Sequence, residues 1–98
     1  MVVGVLRAEL AILEAVTLKD KRRVIKSVKD RIISRHKVSV AEVDRLDQRQ
    51  AAVLAVAMVA SDSRFVQSCL DKIVDELRMA RSATLVDYQV NVLTGEWD

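Results

Sequence analysis

Proline is absent from this 98-residue chain, glycine occurs twice, cysteine once, and aromatic residues number three. Each scarcity removes a class of explanation. Without proline, no slow X-Pro isomerisation can limit folding. Gly4 and Gly95 stand too far apart to build a phosphate-cradling loop or a dinucleotide fingerprint. The one cysteine, Cys69, can close no internal disulfide, which suits a reducing cytoplasm, and it cannot supply a soft-metal Cys-x-x-Cys pair. A signal h-region is also missing: the run MVVGVL meets Arg7 and Glu9 at once, and no stretch is long enough to span a bilayer. The expectation is a cytoplasmic chain with no membrane association, no metal and no cofactor.

Residues 1–98 suffice for a single domain, and a chain of this size buries roughly two-thirds of its unfolded surface. At 51% hydrophobic and 31% charged, the composition is that of an ordinary globular protein. Charge is unevenly placed. From Lys19 to Lys37, nine Lys/Arg stand against Asp20 and Asp30, a local +7, so the remaining 79 residues carry −5 of the overall +2.

That basic stretch, 17–37, reads as one amphipathic helix. Leu18, Ile25, Val28 and Ile32 share its apolar face, with Val24 and Ile33 at the margins. Thr17 and Asp20 make a T-x-x-D capping box. Before it, residues 3–12 alternate with period two, Gly4, Leu6, Ala8, Leu10 and Ile12 pointing one way. After it, 38–43 forms a second strand, and the apolar run 52–60 reads as a central strand covered on both faces. Ser61 and Asp62 are N-cap candidates for a second helix whose stripe is Phe65, Val66, Cys69, Leu70, Ile73, Val74 and Leu77. A last strand, 84–93, should turn Val86, Tyr88, Val90 and Val92 inward, and Trp97 follows with no evident role. The order β-α-β-β-α-β predicts an α+β, ferredoxin-like sandwich: a four-stranded antiparallel sheet, first and third strands central, with two helices on one face.

The segments VVGVLRAEL, TLKDKRRVIKSVKDRI, VSVAEVD and ASD resemble the small bacterial YlxP-like proteins over nearly the whole chain. The resemblance implies a single ferredoxin-like domain, no established activity, and genes often found near those for translation and ribosome-maturation factors.

Function is open at this point. Cys69 on a core stripe reads as packing, and His36 at a helix end as a solvated, dipole-stabilising residue, so no nucleophile–base pair is assembled and no enzyme is expected. Glu42, Asp44 and Asp47 read as a solvated acidic turn rather than a cation site. Stacking of RNA bases on the sheet, as RNA-recognition motifs do it, lacks its aromatics. Two readings remain. In one, Lys19, Lys21, Arg22, Arg23, Lys26 and Lys29 on the first helix contact phosphates of structured RNA or a ribosomal particle. In the alternative, the open sheet face, with Val3, Val5, Val53, Ala55, Ala57 and Val59, forms a homodimer without nucleic-acid binding. The two are compatible.

Overall fold

A computed structural model of the chain describes residues 1–95. Its elements are β1 (Val2–Ala11), α1 (Leu18–Arg35), β2 (Ser39–Asp44), β3 (Ala51–Ala60), α2 (Ser63–Arg78) and β4 (Thr84–Thr94). The strands pair antiparallel in the order β2-β3-β1-β4, so the fold is the expected ferredoxin-like sandwich. Trp97 lies outside the described residues.

Both helices begin at side-chain caps. Thr17 accepts a hydrogen bond from the Asp20 amide at 3.1 Å while Asp20 accepts from the Thr17 amide at 3.0 Å, closing the capping box. Asp62 caps α2 by accepting from the Arg64 amide at 2.9 Å. Alternate residues of β1 and β3, among them Leu6, Ala8, Leu54 and Val56, point beneath the helices and are fully buried with Val66, Leu70 and Ile73 of α2. Gly4 lets α2 approach: a Cβ there would collide with Val66 Cγ1 and lie 2.9 Å from Leu70 Cδ1.

Three inward assignments change. Phe65 is 60% exposed, at the margin of the α2 stripe, while Val66 to Leu77 fill the core as expected. On β4 the register shifts opposite Glu9 and Leu10, and one extra residue lets Leu85, not Val86, pair with Leu10. Leu85 therefore packs inward and Val86 is exposed. Finally, β3 is covered by helices on one face alone. Its other face carries Ala57 and Val59 to the surface, because both helices lie on the same side of the sheet.

Candidate functional site

The exposed side of α1 carries Lys19, Arg22, Arg23 and Lys26, with Lys29 half-buried beside them. Lys26 pairs with Asp30 at 2.7 Å, and that hydrogen bond raises its pKa. Among the described residues, Lys19, Arg22 and Lys29 have no carboxylate within ion-pair distance. The field of Arg23 helps to hold the Asp20 carboxyl down. Five of the six α1 cations expected to meet RNA thus stay on the outward side of the helix.

Lys21 does not. It is 0% exposed, its ammonium held by the carbonyls of Arg45 at 2.9 Å and of Leu46 and Ala51 at 3.2 Å each, and paired with Glu42 at 2.8 Å. Three ammonium hydrogens serve the three carbonyls, so Glu42 Oε2, also buried, is held by charge without a well-directed hydrogen bond of its own. Lys21 can reach no phosphate. It instead pins the β2–β3 hairpin, where Arg45 takes a left-handed φ of 56° and its amide donates to Asp44 at 2.7 Å. The chain on either side is drawn to the β1–α1 loop: Arg49 donates to the Val16 carbonyl at 3.0 Å and Gln50 to that of Leu13 at 3.0 Å.

The acidic cluster is thereby divided. Glu42 turns inward to Lys21, whereas Asp44 and Asp47 stay exposed in the hairpin. Among the described residues, no three His, Cys, Asp or Glu side chains are placed so that they could hold one metal ion.

On the open sheet face, Val53 is fully buried within the single chain. Its register partners are Glu9 and Asp44, and the Arg7 guanidinium, 3.1 Å from Glu9 and 3.9 Å from Asp44, spans the strand above it. Val53 therefore has no surface to give a second copy. The remaining apolar patch lies toward the other end: Val3 and Val5 are half-buried, Ala57 is exposed and Val59 is 65% exposed. Leu93, opposite Val3 on β4 and 50% exposed, extends it.

Cys69 and His36, which the sequence keeps apart, meet in the fold together with Glu76. His36, at the C-cap of α1, is not solvated: its Nδ1 lies 3.6 Å from Cys69 Sγ, and its Nε2 lies 3.1 Å from each oxygen of Glu76. Cys69 and Glu76 are seven residues apart and share one flank of α2, a spacing visible in the sequence. Only the docking of the two helices brings His36 between them. Burial pushes the Cys69 thiol up, Lys72 opposing and Glu76 reinforcing the shift.

No helix among the described residues is long and apolar enough to cross a membrane. Compared with known proteins, residues 3–90 match a family described as "Protein of unknown function (DUF503)". No curated protein matches the chain. Among solved structures, the de novo designed protein Foldit4 is similar with a TM-score of 0.57 and 16% identity, over 98% of this chain and 100% of that one, a likeness of fold alone.

Proposed function

We propose that this chain, which belongs to the DUF503 family of proteins of unknown function, binds structured RNA or a ribosomal particle through the exposed face of α1. The observation that carries the reading is the segregation of cations on that helix. Lys21 turns inward to its own carboxylate, and from Lys19 to Lys37 the outward charge is still +6 on a body that is otherwise acidic. The 18 residues of α1 extend roughly 27 Å, long enough to track several phosphates. Its capped N-terminus adds partial positive charge. An acidic remainder orients this face toward a polyanion. The YlxP-like resemblance fits the family and favours a ribosomal partner by association.

Binding of this kind reads charge and shape, because no aromatic or amide side chain accompanies Lys19, Arg22, Arg23 and Lys26 along the exposed face to read bases. The test replaces Arg22, Arg23 and Lys26 with Gln, which keeps good helix formers. Affinity for folded ribosomal RNA should fall at least tenfold with the melting temperature little changed. The matching change at Arg64, Lys72 and Arg78 of α2 should do much less. Equal binding by both triple variants and the wild type would sink the reading.

A second reading has its own observation. Val59 and Leu93 flank Val3 on the open face, one apolar patch on a face no helix covers. Such a patch favours a homodimer through Val3, Val5, Ala55, Ala57 and Val59, which would carry two basic helices.

A further inference from the structure

The cluster at the helix ends stands apart from the basic face and adjoins a cavity of about 530 Å³. Cys69 lines this cavity and is 9% exposed. Three cations line it too: Arg35 and Lys37 from the end of α1, and Lys72 one turn beyond Cys69. Arg35 lies 3.6 Å from Glu76, while Lys37 and Lys72 have no ion pair among the described residues. β3 contributes Met58 and Val59, neither of which titrates. A carboxylate only accepts hydrogen bonds, so Glu76 places a proton on His36 Nε2. In the neutral ring, the Nδ1 lone pair then faces the Cys69 thiol. The ring's two nitrogens serve partners on opposite sides, so thiol, imidazole and carboxylate cannot converge on one metal ion. What they form is a nucleophile, a base and a group that orients the base.

The geometry points to Cys69 as a thiol that exchanges with small anionic disulfides, with His36 as its base, Glu76 positioning the ring, and the cavity's cations holding the anionic partner. In the exchange the Sγ–H proton passes to His36 Nδ1, and Sγ attacks one sulfur of the disulfide. A new S–S bond forms as the old one breaks, and the departing thiolate takes the proton from His36. The product is a mixed disulfide seated among Arg35, Lys37 and Lys72. Since burial keeps the resting sulfur protonated, the base is required for the attack at neutral pH.

Cys69 is the sole cysteine, so intact mass reports the reaction without background. Glutathione disulfide, an anion, should modify the native chain at pH 7 at least tenfold faster than cystamine, a cation, and unfolding in urea should erase most of that preference. His36→Gln should slow the glutathione reaction about tenfold at pH 7 and approach the wild-type rate only at alkaline pH, once the thiol ionises unaided. Lys72→Gln should narrow the charge preference. The proposal is overturned if native Cys69 stays unmodified while the unfolded chain reacts, or if cystamine reacts as fast as glutathione disulfide. It is equally overturned if folded His36→Gln behaves as the wild type at pH 7. Should that variant fail to fold, the charge preference of the wild type decides.

Discussion

Replacing Lys21 with Met removes the ammonium while keeping a side chain of similar length. Left behind are the Glu42 carboxylate, with a buried oxygen and no other ion-pair partner among the described residues, and the carbonyls of Arg45, Leu46 and Ala51. An unpaired charge costs more to bury than unpaired carbonyls, so the orphaned carboxylate dominates. Breaking one side of a buried ion pair costs about 3–5 kcal/mol. A domain this size has about 5–15 kcal/mol in all. With a urea dependence of about 1.5 kcal/mol per molar, the unfolding midpoint should drop by about 2–3 M. Pairing the change with Glu42→Leu should recover most of the loss, because replacing both ions by apolar groups is often neutral. The double-mutant cycle from urea denaturation then gives the coupling directly. A cost below about 1 kcal/mol for Lys21→Met, or a double variant no better than the single, would refute the view that this pair fastens the hairpin.

Three other changes test separate parts of the structure. Gly4→Ala should destabilise the chain by about 1–3 kcal/mol through collision with Val66 and Leu70, read by the same urea titration; a neutral result would mean α2 lifts without penalty. The amides of Val16 and Thr17 hold the Asp20 carboxyl below its usual 3.8, so its contribution is complete above that value and disappears as pH falls through the lower folded value. Wild type should therefore melt above Asp20→Asn at pH 6, with the gap closing in acid, whereas a gap constant with pH would remove the carboxylate from the cap. Val59→Glu should convert a dimer to monomers in sedimentation with helical content intact; a wild-type chain that is already monomeric at tens of micromolar ends the dimer reading.

The periodicities carry the architecture, since strand alternation reappears in the burial of β1 and the α2 stripe, Phe65 excepted, in that of α2. Lys21 was legible too. It stands four residues before Ile25 and eleven before Ile32 on the apolar stripe, and Glu42 continues the inward phase of Val38 and Val40. The charge of Lys21 places it with the basic residues, but its face places it in the core. The β4 bulge was not legible: Val86, Tyr88, Val90 and Val92 alternate perfectly, and the extra residue appears only in pairing with β1. Nor was the burial of Val53, which depends on Arg7 reaching across from β1. His36 joins Cys69 and Glu76 through the docking of α1 on α2, a tertiary distance that no local spacing encodes.

The central claim, that α1 is a phosphate-binding face, is tested most directly by the salt dependence of binding to folded ribosomal RNA. Neutralising about five phosphates predicts a slope of about −3.5 to −4.5 for the logarithm of affinity against the logarithm of salt. Replacing Arg22, Arg23 and Lys26 with Gln should bring that slope to about −1.4 to −1.8. A wild-type slope near zero, or no binding at physiological salt, would leave α1 a solvated surface and contradict the account.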